Sequence, residues 1–362
     1  MKLIGITGSC GKTSVAEIVY QYLICCGYST SLYSSNGLFV NGLTKEKDYL
    51  QTTLYHKALK DNLEDDEKSG VQYAVIEITA ESIARRDKVH LFPFEVVALT
   101  SFFDNLYNHF NNKVHYYECK RTILESSNAK KVLLRLEERN YLMFNDIPHE
   151  IYGYSPNSNY QLIVLDNNIN GLKLSFNNTI FETNLITAYH ARNIACALAI
   201  LSSIDILDME KFKDFAKKIF IRGRFEKIQY KGKNIILDTG NAGADILLLG
   251  MEKTLGNDNY KIIYTNKGHK NINNWVLRAR KNAGNYLKRS KFIYLVNPDN
   301  KNNIEEDFVN NVICDNTYKQ YKYISNINDV CIEAINNLQE NETLIIFTRE
   351  NYRLYRNYIE NL

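Results

Sequence analysis

Lys2-Leu3-Ile4-Gly5-Ile6-Thr7-Gly8-Ser9-Cys10-Gly11-Lys12-Thr13-Ser14-Val15 opens the chain and decides its class. Residues 2–7 read as a short buried strand. Residues 8–13 read as a glycine turn. Val15, Ile18, Val19, Tyr22 and Leu23 then recur at helical spacing. Strand, glycine turn and helix in that order begin an α/β unit. Such a turn suits phosphate. Its glycines let backbone N–H groups face an anion, and the helix N-terminus adds partial positive charge. Lys12 is placed to reach β- and γ-phosphates and the Thr13 hydroxyl to ligate Mg²⁺, a P-loop arrangement in which residues 8–14 (Gly8, Ser9, Cys10, Gly11, Lys12, Thr13 and Ser14) hold the nucleotide. The standard G-x-x-x-x-G-K-[ST] spacing is not met, because residue 6 is Ile. The competing reading is an ordinary glycine turn with an exposed lysine.

Outward from this stretch, residues 72–79, 95–100 and 131–136 read as further buried strands and 114–126 as a helix. Residues 151–186 read as a β-rich meander with Asn-rich turns, and 193–203 as an apolar helix. From about residue 222 a second α/β alternation begins. Its strands are expected at 234–238, 261–265, 292–296 and 343–348, with helices at 244–254, 275–287 and 328–338. The expected boundary lies near 220–223, giving domains 1–221 and 222–362. The fold class is therefore α/β: a P-loop ATPase domain with a mixed or parallel sheet, then a smaller Rossmann-like α/β domain.

Composition fits two soluble domains. The 362 residues are 45% apolar and 23% charged, which excludes a disordered chain. The net charge of +3 gives no reason to expect nucleic acid or an anionic membrane as partner. No apolar run approaches the ~18 residues of a spanning helix, and no signal peptide is evident. The seven cysteines are scattered without a CxxC pair, so the expectation is a reduced, cytoplasmic protein. The Cys25-Cys26 pair reads as a helix end.

The loop as written, G-I-T-G-S-C-G-K-T-S from Gly5, resembles the G-I-T-G-T-N-G-K-T-[ST] of the Mur ligase family, which makes amide bonds after activating a carboxylate with ATP. Further segments resemble the family's motifs in order. Val75-Ile76-Glu77-Ile78-Thr79 is similar to its strand ending E-x-S-S, which implies that Glu77 ligates Mg²⁺. The stretch from Leu99-Thr100-Ser101 to Lys120 is similar to F-T-N-x-x-x-D-H-x-D followed by Y-x-x-A-K. There Asp104 matches the Asp, Asn105 stands at the metal-binding His, and Tyr116 precedes Lys120 by four. Lys120 falls on the lysine that is carbamylated in most members and becomes a metal ligand. Asn193, in Tyr189-His190-Ala191-Arg192-Asn193, falls on the last Asn of H-N-x-x-N, which contacts adenine. Gly223-Arg224-Phe225-Glu226 resembles P-G-R-x-E, whose Arg reaches the γ-phosphate, and Asp238 resembles the ribose-binding Asp.

The departures are specific. Asn105 replaces a His; an amide oxygen suits Mg²⁺, and His109 stands near enough to serve instead. Tyr189, His190 and Asn241 replace His, Asn and His. The loop begins at residue 5, so the domain that holds a UDP-sugar in the classical peptidoglycan ligases is expected to be absent, and a non-classical substrate is expected with it. Val296-Asn297-Pro298-Asp299 carries Asp where the diaminopimelate-adding ligases have Arg in D-N-P-R, which disfavours diaminopimelate.

The resemblance implies an ADP-forming amide ligase for a small carboxylate and an amine, with ATP and Mg²⁺ as cofactors. Catalytic roles fall to Lys12, Lys120 and Arg224, and metal ligation to Thr13, Glu77, Lys120 and Asn105 or His109. Asn193, Arg224 and Asp238 complete the nucleotide contacts across a domain junction that closes on binding. Two alternatives stand: a P-loop kinase or ATPase, and a catalytically degenerate nucleotide-binding subunit, one version of which works with a glutaminase partner.

Overall fold

The computed structural model describes residues 1–46, 52–102, 110–125, 128–138, 141–239, 254, 259–265, 284, 287–296, 304–348 and 352–361. Most of the expected helices at 244–254 and 275–287, and Asp104, Asn105, His109, Asn241 and residues 297–299 lie outside them. The chain divides into two compact units, Met1–Phe220 and Ile221–Leu362.

The first unit is built on one sheet of eleven strands, in the order β11-β10-β9-β8-β7-β6-β1-β5-β2-β3-β4. The strands are β1 Lys2–Thr7, β2 Thr30–Ser34, β3 Gly37–Val40, β4 Leu43–Glu46, β5 Tyr73–Glu77, β6 Phe94–Leu99, β7 Lys131–Arg135, β8 Glu150–Gly153, β9 Tyr160–Asn168, β10 Gly171–Phe176 and β11 Thr179–Thr183. Strands β2, β5, β1, β6, β7, β8 and β9 run parallel, and antiparallel hairpins extend both edges. The central strand β1 is buried from Leu3 to Thr7. That explains its near-continuous apolar run: a parallel strand covered on both faces has no wet side on which to alternate. Its helices are α1 Lys12–Cys25, α2 His56–Lys68, α3 Ala80–Ala84, α4 Lys113–Glu125, α5 Thr187–Ser203 and α6 Met209–Ala216. Helix α1 packs on α5 and on the sheet. The core beneath α4 gathers Ile76, Phe94, Val97, Phe102, Tyr116, Ile123 and Phe144.

Two readings are corrected. Helix α5 begins at Thr187, six residues before the expected 193, because its first two turns carry Tyr189, His190, Arg192 and Asn193 in place of an apolar stripe. Strands β2–β4 and helix α2 were not expected. Strand β2 is fully buried yet has four hydroxyl residues in five, and α2 buries only Leu59, Leu63 and Asp66. The two strands are joined by the turn Ser35-Asn36, and the Asn36-Gly37 dipeptide at its end is the hairpin signal that was available.

The second unit carries a six-stranded sheet, β12-β13-β17-β14-β15-β16, from β12 Glu226–Tyr230, β13 Lys233–Asp238, β14 Tyr260–Thr265, β15 Phe292–Val296, β16 Tyr321–Ile324 and β17 Thr343–Phe347. All pairs are parallel except β12 with β13. Two of its helices, Ile327–Asn336 and Tyr352–Glu360, bury Val330, Cys331, Ala334, Tyr355 and Ile359 against Leu237, Ile263 and Ile346. Among the described residues, no helix is long and apolar enough to cross a membrane.

Candidate functional site at the carboxyl ends of the first sheet

Three adjacent strands, β5, β1 and β6, end together and hand the chain to Glu77, to the turn after Thr7, and to Thr100-Ser101. In open α/β sheets the crevice at the carboxyl ends of the strands is where ligands bind. The turn is held in a conformation that requires glycine. Gly8 has φ +146° and Gly11 φ +88°. A methyl on Gly8 would meet Thr100 Oγ1 at 2.0 Å, and one on Gly11 would meet Asn193 Oδ1 at 2.6 Å. The segment after β6 clamps the turn from one side. Ser9 N donates to Ser101 O (2.8 Å) and Cys10 N to Ser101 Oγ (2.9 Å). The Thr100 and Ser101 hydroxyls donate back to Cys10 O at 2.5 and 2.9 Å. Helix α1 then starts at Lys12, and the first N–H groups of a helix have no partner within it. Ser14 is buried in its first turn.

Two lysines meet this turn. Lys12 Nζ donates to Gly8 O at 3.0 Å. Lys120, on α4, is 1% exposed, and its Nζ donates to Thr7 Oγ1 and to the same Gly8 O, both at 3.0 Å. Burial, and then the charge of Lys12, holds the Lys120 amine well below the ordinary lysine range. Tyr116 stands one helical turn before Lys120, so the two share a face of α4. The Tyr116 hydroxyl lies 2.7 Å from Ser9 Oγ. Its ring is stacked on Phe102 (centroids 5.5 Å, 7° between planes).

On the other side of β1, the Glu77 carboxylate is buried at the end of β5. Oε2 accepts from Thr13 Oγ1 at 3.3 Å and Oε1 from Ser35 N at 3.0 Å, while Ser35 Oγ lies 2.8 Å from Thr13 Oγ1. Thr53 Oγ1 donates to Glu77 O (3.0 Å) and accepts from Thr79 N (2.9 Å). The structure thus brings Gly8–Ser14, Glu77, Lys120 and Asn193 together from residues up to 185 apart in sequence. Among the described residues no three His, Cys, Asp or Glu side chains cluster, so the nearest metal-like grouping is the Thr13–Glu77 pair. Asn105 and His109, also expected as metal ligands, lie outside the described residues.

Arg224 and Asp238 belong to the second unit. Arg224 Nη1 donates to Gly223 O (2.8 Å) and Thr239 Oγ1 (3.1 Å). Asp238 Oδ2 accepts from Phe225 N at 3.1 Å, and Phe225 carries φ +47°. Glu226 Oε2 accepts from Gly223 N at 2.8 Å, so the turn 223–226 is held by its own carboxylate. Sequence reasoning missed Ser35 and Thr53 as neighbours of the site, because both stand in segments with no motif. Tyr116 was noted only as motif spacing; its i, i+4 relation to Lys120 was the signal that both reach one target.

Comparisons with known proteins identify the family and the fold. The model of the Mur ligase middle domain matches residues 6–201, more than half of the chain. A UDP-N-acetylmuramoyl-L-alanyl-D-glutamate–2,6-diaminopimelate ligase of Helicobacter hepaticus is 25% identical over 237 residues, 62% of this chain and 50% of that protein. The chain spans about half the length of the curated relatives it matches. Among solved structures, a folylpolyglutamate synthase of Thermotoga maritima superimposes with TM-score 0.75 at 15% identity, covering 99% of this chain and 89% of its own. A bifunctional folylpolyglutamate synthase/dihydrofolate synthase of Yersinia pestis, complexed with AMPPNP and a Mn ion, gives 0.73 at 12% identity over 100% and 89%. The family match runs through the glycine turn, the Glu77 strand, the Lys120 helix and the Asn193 helix, and the chain belongs to the Mur ligase family.

Proposed function

We propose that this protein is an ATP-dependent, ADP-forming amide ligase. The observation that carries the reading is the convergence of Lys12, Lys120, the Thr13–Glu77 pair and Asn193 on one glycine turn. A carboxylate is a poor acyl donor. In the proposed reaction its oxygen attacks the γ-phosphorus of ATP, ADP leaves, and an acyl phosphate forms. An amine then attacks the acyl carbon, inorganic phosphate leaves, and the amine loses a proton.

Phosphoryl transfer asks mainly for positioning and charge neutralisation. Residues 8–14 would cradle the phosphates, and Lys12 and Arg224 would balance the charge on the transferring group. Asn193 would hold adenine and Asp238 the ribose. Thr13 and Glu77 fit a hard divalent cation, since both offer oxygen, the donor Mg²⁺ prefers, and they already touch. Mg²⁺ bound there would neutralise phosphate charge. Lys120 suits carbamylation: CO₂ reacts with a neutral amine, and burial keeps this one neutral more readily than a free lysine.

The test is phosphate release from ATP measured against panels of small acids and amines. Turnover that requires both substrates is expected, with Lys120→Ala abolishing it. Full turnover by Lys120→Ala, or ATP hydrolysis indifferent to acid and amine, would sink the ligase reading in favour of a kinase or simple ATPase.

A further inference from the structure

The turn 223–226 carries Arg224 and is bent where the backbone resists it. Phe225 has φ +47°, left-handed backbone that a bulky side chain rarely adopts. Such a residue persists where its surroundings over-determine it. Here two carboxylates do so. Asp238 Oδ2 accepts from Phe225 N, and Glu226 Oε2 accepts from Gly223 N. They differ in what holds them. Asp238 ends β13, a strand paired on both sides, with β12 and with β17. Glu226 begins the edge strand β12, and its buried carboxylate meets a cation from the last helix: Arg356 Nη1 donates to Glu226 Oε1 at 2.7 Å. A charged hydrogen bond of this kind keeps a buried carboxylate in place.

Arg356 is itself aimed. Tyr355 and Ile359, beside it in the helix Tyr352–Glu360, are buried against the second sheet. Glu360 Oε1, one turn on, accepts from Arg356 Nε at 2.7 Å. The guanidinium plane is thus fixed by its own helix and presents Nη1 to Glu226. A lysine has no such fork with which to hold two carboxylates in fixed directions.

We propose that Arg356 is a positioning residue for Arg224: through Glu226 it holds the turn 223–226, and so sets where the Arg224 guanidinium stands for the γ-phosphate. This rests on the reading of Arg224 given above and names the residue that aims it. Asp238 is held by its own strand, so loss of Arg356 disturbs the γ-phosphate contact and spares the ribose contact.

Calorimetry on the full chain with Mg²⁺ measures dissociation constants for AMPPNP and ADP, nucleotides with and without the γ-phosphoryl group. Arg356→Gln is expected to weaken AMPPNP about fivefold and leave ADP within about twofold. Arg356→Lys keeps the charge and should recover part of the loss. In an Arg224→Ala background, Arg356→Gln should add less than about twofold, because the group it aims is gone. Unchanged AMPPNP affinity in Arg356→Gln overturns the proposal. An equal loss for both nucleotides, or the same further loss in the Arg224→Ala background, also overturns it and marks a merely structural role. Failure of the underlying reading looks different: the parent would bind neither nucleotide, or Arg224→Ala would bind AMPPNP as well as the parent.

Discussion

Replacing Gly8 by Ala tests the clamp on the glycine turn most directly. At φ +146° an L side chain is strained, at about 1–3 kcal/mol. Its methyl would lie 2.0 Å from Thr100 Oγ1 and 3.0 Å from Ser101 N. The threonine must move, which gives up its hydroxyl bond to Cys10 O, worth about 1 kcal/mol, and the Ser101 backbone must give as well. The whole change is expected to cost about 4 kcal/mol, or roughly 10 °C in melting temperature for a unit of this size. Thr100→Ala alone should cost about 2 kcal/mol, from the same hydrogen bond and a buried methyl. In the double variant the oxygen that clashes is gone and its bond is counted once. The pair should therefore cost about 5 kcal/mol where additivity predicts about 6, a coupling of about 1 kcal/mol. Urea and thermal unfolding of the parent, both single variants and the double variant measure this cycle. Additivity within about 0.5 kcal/mol, or a Gly8→Ala protein as stable as the parent, would refute the reasoning.

Other outcomes follow from the same geometry. Glu77→Gln keeps the size of the side chain and removes its charge, so ATP turnover is expected to fall at least about tenfold and to recover only partly with excess Mg²⁺, as read by phosphate release. Tyr116→Phe removes the hydroxyl from Ser9 and keeps the ring stack; the KM for ATP should rise about fivefold, with the melting temperature little changed, and Ser9→Ala in the same background should add nothing. In the second unit, burial pushes the Glu342 carboxyl up, but the Gln339 N–H, Lys291 and Lys261 together pull it down to about 2. A depressed carboxylate stabilises above its unfolded pKa and loses that stability as pH falls. Glu342→Gln should thus cost about 3 kcal/mol near neutral pH, and the gap in urea unfolding should close between pH 4.5 and about 2.

The sequence alone determined a good deal. The strand, glycine turn and helix at residues 2–25 were legible because each is a local pattern: an apolar run, residues that tolerate positive φ, and a 3.6-residue period. Glu77, Lys120, Asn193, Arg224 and Asp238 were nameable because their segments resemble the motifs of the Mur ligase family in order. Tertiary structure decided which of them meet. Lys120 looks like a surface lysine on a polar helix, and only the packing of α4 beneath the turn buries it against Gly8 O and lowers its amine. Ser35 joins the site because β2 pairs with β5 and ends beside it, and Thr53 and Tyr116 join through hydrogen bonds to Glu77 O and Ser9 Oγ from segments far away in sequence. Burial and proximity depend on what packs from elsewhere in the chain, and no local pattern records that.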